Sequence, residues 1–230
     1  MLLVQLIAAC SPSTPAENRA SPAENRASNV TTAPIAVAND AIPADTKLVV
    51  AFGDSLYAGY NLDAGQGFAP MLEKALVAKG VKARVFNAGV SGDTSAAGRE
   101  RLAFTLDGLP RKPDLVIVGL GGNDMLRGLG PERTRANLDV ILSDLKTRAI
   151  PAMLTGMLAS PNMGPDYAKT FDRIYPDLAK SHGVPLYPFF LDGVVGHRDL
   201  QLPDGIHPNA KGVAIVVAKV APMVAEDLAE

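Results

Sequence analysis

Three side chains in this sequence could together transfer an acyl group. Ser55 follows Gly53 and Asp54 in a turn and supplies a small hydroxyl that could act as a nucleophile. His207 could take the serine proton near neutral pH. Asp204, three residues earlier, could hold the other ring nitrogen and stabilise the imidazolium. The Gly-Asp-Ser turn alone is weak evidence, because Asp and Ser often form turns through hydrogen bonds to their own backbone.

Acyl transfer also needs donors for the oxyanion that develops on the substrate carbonyl. The candidates are the backbone N–H of Ser55, the backbone N–H of Gly89 and the side-chain amide of Asn123. Glycine at position 89 would let the backbone approach a substrate closely. Gly89 could instead be only a turn glycine, and Asn123 could only cap a turn. Asp54, beside the nucleophile, is a candidate for lining the substrate site and could equally be a turn residue.

Strands that alternate with helices are expected to position these groups. Short apolar runs at 47–52 and 113–120 are typical of buried strands. Further strands are predicted over 82–87, 151–155 and 184–187, and helices over 67–79, 94–106, 131–148, 167–181 and 209–229. This alternation predicts an α/β fold, a three-layer α/β/α sandwich around a five-stranded parallel sheet in the flavodoxin-like order 2-1-3-4-5. In that order the loops after strands 1 and 3, which carry Ser55 and Asn123, flank the same crevice.

Four ordered blocks of this sequence resemble the GDSL, or SGNH, hydrolase family. They are Gly53-Asp54-Ser55-Leu56, Gly89, Gly119 with Asn123-Asp124, and Asp204 with His207. The segments 89–94 and 204–210 are similar to its bacterial arylesterase, thioesterase and lysophospholipase subgroup. The resemblance covers residues from about 47 to the C-terminus.

The resemblance implies a serine esterase that works through an acyl-enzyme on Ser55. Short-chain or aryl esters are the expected substrates, with thioesters and lysophospholipids as further ones. Tyr57 departs from the subgroup, which commonly has Thr there. We expect Tyr57 to alter the pocket mouth without touching a catalytic role.

Two loops at the same sheet edge are expected to form the acyl pocket. Met125 and Leu126 lie in one, and Met157 and Leu158 in the other. Both loops combine flexible apolar side chains with glycine, which suits an adaptable pocket. Met157 and Leu158 could instead belong to the core. A carbohydrate acetyl esterase is the alternative within the family, and a non-catalytic tethered binding module is the alternative of another class.

The first 46 residues have a different composition. Residues 1–9 are apolar and precede Cys10, the single cysteine, in a segment that resembles a bacterial lipobox. We interpret 1–10 as a signal-peptide remnant with Cys10 as a lipidation candidate. Residues 11–46, which contain a tandem heptapeptide at 15–21 and 22–28, are interpreted as a disordered linker. Residues 47–230 would then be the hydrolase domain of an exported, periplasmic or membrane-anchored protein.

Other N-terminal interpretations stay open. No Lys or Arg precedes the apolar run, so the true start could lie upstream. A plain signal peptide, or a cytoplasmic chain with an incidental cysteine, would also fit these residues.

Composition argues against several other functions. A net charge of −2, no Trp and 5% aromatic residues give no basic surface or stacking platform for nucleic acid. A single cysteine excludes an intrachain disulfide and a cysteine zinc cluster, and the acidic residues lack a zinc spacing. We therefore expect no cofactor, no metal and no nucleic-acid partner, only a small ester substrate and possible attachment to a membrane.

Two further features have structural interpretations. Residues 119–124 superficially resemble a dinucleotide fingerprint, but they lack its final glycine, follow the third strand, and are not expected to lead directly into a helix. His182 lies at a predicted helix end, where a histidine often complements the dipole. His197 has no acidic residue three positions before it, so neither is expected to act as the base.

Overall fold

The structure is a computed structural model and describes residues 42–229. Its strands are β1 (Lys47–Gly53), β2 (Ala83–Gly89), β3 (Leu115–Gly119), β4 (Ala152–Thr155) and β5 (Leu186–Tyr187). They form one sheet in the order β2-β1-β3-β4-β5, and every neighbouring pair is parallel. The predicted five-stranded parallel sheet and its order are therefore confirmed.

Helices cover both faces of this sheet. They are α1 (Ser55–Ala58), α2 (Phe68–Ala78), α3 (Ser95–Asp107), α4 (Gly122–Leu126), α5 (Pro131–Thr147), α6 (Pro165–Phe171), α7 (Ile174–His182) and α8 (Ala210–Asp227). Helices α2 and α8 pack in one core cluster, and α3, α5 and α7 pack in the other. The predicted α/β/α sandwich is therefore confirmed.

Both faces of the central strand are apolar because both are covered. Val49 and Ala51 lie in the core cluster with α2 and α8, whereas Val50 and Phe52 lie in the cluster with α3, α5 and α7. Side chains alternate across a strand, so a strand covered on both faces appears in sequence as a continuous apolar run.

Three local expectations were wrong. The helix predicted over 167–181 is two helices, α6 and α7. Pro176 lies in the first turn of α7, where its missing N–H and its ring prevent the helix from continuing from α6. A short helix, α4, does open directly after the third strand, because Gly121 turns the chain there with a φ of 109°. The last predicted strand shortens to two residues, although it does lie at the sheet edge.

The predicted signal-peptide remnant, Cys10 and most of the predicted linker lie outside the described residues. Between residues 42 and 229, no helix is both long enough and apolar enough to span a membrane.

Candidate active site

The end of β1 places Ser55 at the carboxyl edge of the sheet. Strand β1 ends at Gly53, and α1 begins two residues later. Between them, Asp54 caps α1, since its Oδ1 accepts the Leu56 N–H at 3.0 Å. A Cβ at position 53 would lie 2.5 Å from the Tyr57 ring, so only glycine fits where the chain turns.

His207 and Asp204 reach Ser55 from the loop before α8. His207 Nε2 lies 2.9 Å from Ser55 Oγ, and His207 Nδ1 lies 2.7 Å from Asp204 Oδ2. The loop is tied by an antiparallel bridge between Gln201 and Pro208. The structure thus brings the three residues together in the order that a nucleophile, a base and an orienting carboxylate require.

Asp204 is itself held in place by the same loop. Its Oδ1 accepts the backbone N–H groups of Ile206 at 2.9 Å and His207 at 3.0 Å. Partial burial acts to raise the pKa of Asp204, but these donors and the imidazole outweigh it and hold that pKa below its usual range. Asp204 therefore stays ionised beside the imidazole. The Tyr60 ring also contacts the imidazole, with 4.5 Å between the ring centroids.

Asn123 and Gly89, the two predicted oxyanion donors beyond Ser55, have different positions. Asn123 lines the same cavity as Ser55, and its Nδ2 donates to the Asp93 carbonyl at 3.0 Å. Gly89 does not line it, and its N–H donates to Asn87 Oδ1 at 2.9 Å. Its glycine character has another cause, because a Cβ there would lie 2.2 Å from the Ala58 nitrogen. The structure therefore does not bring the Gly89 N–H to Ser55.

Gly92 is a candidate donor that the sequence reasoning missed. It lines the cavity with Ser55 and has a φ of 87°, which favours glycine. Within residues 42–229 its N–H donates no hydrogen bond, whereas its carbonyl accepts from Arg127 at 2.7 Å. The sequence feature that could have identified Gly92 is its position two residues before Thr94, the residue that caps α3.

Arg101 links the end of β1 to the loop that precedes α3. Its guanidinium donates to Asp93 Oδ2 at 2.6 Å and to the Gly53 carbonyl at 2.9 Å, and it lies 4.1 Å above the Phe52 ring. The Asp93 carbonyl in turn holds Asn123. Arg101 therefore connects the end of β1, which leads into Ser55, with the support of the Asn123 amide.

The cavity beside Ser55 has a volume of about 320 Å³ and mostly apolar walls. Met125, Leu126 and Met157 line it as predicted, and Leu126 is 57% exposed at its rim. Met157 also packs against both core clusters. It therefore both lines the cavity and contributes to the core. Leu158 is 43% exposed and does not line the cavity, so that prediction is not met.

Asp54 lines the cavity but is almost completely buried. Burial raises its pKa to about 6, although the Leu56 N–H and His207 act in the opposite direction. Asp124 is the other buried acid near the site, and its carboxylate accepts hydrogen bonds from Ser95 and Thr134. Asp124 thus links α4 to α3 and α5, which is a scaffold role.

Other polar features lie away from Ser55. His182 Nε2 lies 2.7 Å from Asp139 Oδ1 at the end of α7, and His197 precedes a short 3₁₀ turn. A larger depression of about 480 Å³, lined by charged side chains such as Arg135 and Lys169, lies beside α5 and α6. None of the three triad candidates lines it, so we place the chemistry at the smaller apolar cavity.

Comparison with known proteins agrees with this geometry. Residues 51–215 match the GDSL-like Lipase/Acylhydrolase family. Esterase TesA of Pseudomonas aeruginosa is 42% identical over 165 residues, which cover 72% of this chain and 80% of that protein. Thioesterase 1/protease 1/lysophospholipase L1 of Escherichia coli K12 is 41% identical over 169 residues, which cover 74% of this chain and 78% of that protein.

A solved structure shows the same fold. The SGNH-hydrolase family esterase AlinE4 aligns with a TM-score of 0.69 and 49% sequence identity, covering 80% of this chain and 98% of its own. The family match and the fold are those that the four sequence blocks predict. The chain therefore belongs to the GDSL-like lipase/acylhydrolase family and is an ester hydrolase of that family.

Proposed function

We propose that the protein hydrolyses short-chain or aryl carboxylic esters through an acyl-enzyme on Ser55. The observation that carries this proposal is the continuous chain of hydrogen-bonding atoms from Ser55 Oγ through His207 to Asp204, which opens onto an apolar cavity. Asp204 stays ionised, so it selects the imidazole tautomer that carries its proton on Nδ1. His207 Nε2 is then free to accept the serine proton.

The reaction follows from these positions. Ser55 Oγ attacks the substrate carbonyl while His207 Nε2 takes its proton, and Asp204 stabilises the imidazolium that forms. His207 then gives the proton to the leaving alkoxide or thiolate, and the acyl group stays on Ser55. A water molecule then gives a proton to His207 as its oxygen attacks the acyl carbonyl. The tetrahedral intermediate collapses by breaking its bond to Ser55 Oγ, His207 returns the proton to that oxygen, and the carboxylic acid leaves.

We assign the oxyanion donors from their positions at the cavity. The Ser55 N–H, the Gly92 N–H and the Asn123 amide all belong to residues that line it. The Asn123 amide nitrogen has two hydrogens. It donates one to the Asp93 carbonyl at 3.0 Å and the other to Asp54 Oδ2 at a long 3.5 Å, and a substrate oxyanion would replace this weaker second partner. Gly92 replaces Gly89 in this assignment because the Gly89 N–H already donates to Asn87.

The cavity favours an acyl group of limited length. A volume of about 320 Å³ with mostly apolar walls suits a short aliphatic or aryl ester. Thioesters and lysophospholipids are further candidates, because the Escherichia coli relative carries thioesterase and lysophospholipase in its name.

The test compares the full chain with its Ser55→Ala variant on a short chromogenic ester. We expect the variant to lose about three or more decades of kcat, as when a triad member is removed elsewhere. An organophosphate should label the wild type at Ser55, and a chelator should leave the rate unchanged. Equal rates in both proteins would contradict Ser55 as the nucleophile, and no hydrolysis by either would contradict the proposed substrates. Matching circular dichroism spectra would show that the variant is folded.

We further propose that the protein is exported and lipidated at Cys10, with residues 11–46 as a tether. The lipobox-like segment and the tandem repeat in the sequence support this. In bacterial cells fed labelled palmitate, the full chain should take up the label and Cys10→Ala should not. Equal labelling of the two would contradict the proposal.

A further inference from the structure

Tyr57 lies beneath the nucleophile, inside the core. Its side chain is 1% exposed, which contradicts the expectation that it alters the pocket mouth. The ring packs against Phe68 at 5.0 Å and Phe190 at 5.1 Å, centroid to centroid, and these two rings also contact each other at 5.1 Å. Its hydroxyl lies 2.7 Å from Thr155 Oγ1. Tyr57 is thus fixed at both its ring and its tip.

Two glycines make room for this ring. Gly53 and Gly119 are paired across β1 and β3 at the carboxyl ends of these strands. A Cβ at Gly53 would lie 2.5 Å from the Tyr57 ring, and a Cβ at Gly119 would lie 2.2 Å from it. The Tyr57 ring therefore fills a slot over the end of the sheet. Any residue larger than glycine at position 53 or 119 would project into this slot.

Only one layer of side chains separates this slot from the substrate cavity. A void of about 10 Å³ lies against Tyr57, Thr155 and Phe190. Four residues line both this void and the cavity beside Ser55, namely Asp54, Leu56, Gly122 and Met157. A Cβ at Gly122 would lie 3.8 Å from Met157 Cε, so the end of this unbranched side chain covers the glycine. Methionine changes rotamer easily, which makes Met157 the movable part of the partition.

We infer that Tyr57 sets the depth of the acyl pocket, by filling the slot into which the cavity would otherwise extend past Met157. The inference rests on the proposed esterase function and concerns the same site. With Tyr57 in place, an acyl chain must end at Met157 or turn out over the rim. Without the ring, the chain can continue into the space beside Phe68 and Phe190, where it finds apolar walls.

The test measures kcat/KM for p-nitrophenyl acetate, butyrate, octanoate and dodecanoate with the wild type and Tyr57→Ala. Each methylene newly buried is worth about a fourfold gain, so three newly buried methylenes should raise the ratio of octanoate to acetate about 60-fold. Tyr57→Phe keeps the ring and should keep the wild-type ratio. Phe171→Ala removes a buried ring from the opposite core cluster and should lower stability without changing the ratio.

Refilling the slot gives a second readout. Tyr57→Ala lacks the phenol portion of tyrosine, and buried apolar cavities of about 150 Å³ bind ring-sized ligands. Added phenol should raise the thermal midpoint of Tyr57→Ala and slow its hydrolysis of octanoate more than of acetate. Phe171→Ala also gains a ring-sized cavity, so its midpoint can rise as well, but phenol should leave its ratio of octanoate to acetate unchanged. If Tyr57→Ala does not fold, Tyr57→Leu, which keeps more of the buried volume, carries the same comparison of ratios.

The outcomes separate this inference from the function on which it rests. No hydrolysis of any ester by the wild type would overturn the proposed function itself. Hydrolysis by the wild type, together with an unchanged ratio in a folded Tyr57→Ala or Tyr57→Leu, would overturn only the role of Tyr57.

Discussion

Replacing Asp54 by Asn should stabilise the protein at neutral pH and not at acid pH. The Asp54 carboxyl is 3% exposed, and burial raises its pKa to about 6. A free aspartate has a pKa of about 3.9, and each unit of difference corresponds to about 1.4 kcal/mol. The buried charge therefore costs on the order of 3 kcal/mol once Asp54 is ionised.

The sign follows from proton binding. Below about pH 4, Asp54 is protonated in both the folded and the unfolded chain, so it has no effect on their balance. Between about pH 4 and pH 6 the folded chain holds a proton that the unfolded chain has lost, so the free energy of unfolding falls as the pH rises. Above about pH 6 the full cost is present. Asn carries no charge, and its Oδ1 can still accept the Leu56 N–H that Asp54 accepts at 3.0 Å.

Urea unfolding followed by circular dichroism, at intervals from about pH 4 to pH 8, measures the effect. We expect the free energy of unfolding of Asp54→Asn to exceed that of the wild type by about 2–3 kcal/mol near pH 8 and to match it near pH 4. Asp114 is a matched control of opposite sign. Although partial burial raises the pKa of Asp114, the Leu48 N–H and Arg111 outweigh it and hold that pKa below its usual range.

Asp114 therefore contributes stability that is present above about pH 4 and is lost as the pH falls through its folded pKa. Asp114→Asn should lose stability near pH 7, and the loss should shrink towards acid pH. A difference between Asp54→Asn and the wild type that does not change with pH would refute the reasoning, because it would mean that Asp54 ionises in the fold at no cost.

Three further substitutions test the site. Asp204→Asn should lower kcat on a short ester about 10⁴-fold, because an amide no longer selects the His207 tautomer; a loss below tenfold would contradict the role of Asp204. Arg101→Gln should lower kcat about 10- to 100-fold with little change in KM, because the loops beside the nucleophile lose their common tie; an altered KM with normal kcat would place Arg101 in binding instead. Gly89→Ala should cost on the order of 3 kcal/mol of stability, since its Cβ would lie 2.2 Å from the Ala58 nitrogen; a normal thermal midpoint would contradict this packing.

The sheet was predictable because it is buried on both faces. In such a sheet the strands have no polar face, so β1 and β3 appear in sequence as unbroken apolar runs. The residues whose side chains could take part in catalysis follow directly after these runs. The carboxyl ends of parallel strands share one edge of the sheet. Ser55 and Asn123 could therefore be placed together from the sequence alone. The break between α6 and α7 could also have been predicted from the sequence, because Pro176 lies inside the helix predicted over 167–181.

The choice between Gly89 and Gly92 needed the strand register. Both glycines follow the apolar core of β2, and their spacing says nothing about which one leaves the sheet. In the structure Gly89 is still paired with Gly53, and the next residue, Val90, donates to the Gly53 carbonyl. The loop proper begins only after that bond, so Gly92 is the glycine that reaches the cavity. The register states which residue of one strand pairs with which residue of the next. It therefore cannot be determined from the sequence of β2 alone.

The position of Tyr57, in contrast, follows from one turn of helix once that turn is recognised. Residues of an α-helix advance by 100° each, so two residues apart they point to nearly opposite sides. Ser55 begins α1 and faces the cavity, and Tyr57 must then point away from it, into the core under the sheet edge. A Gly-Asp-Ser turn over 53–55, without the helix that follows it, does not show this direction, and the expectation that Tyr57 lies at the pocket mouth is wrong for that reason. The same geometry explains how a residue so near the nucleophile can shape the pocket from below while taking no part in the proton transfers.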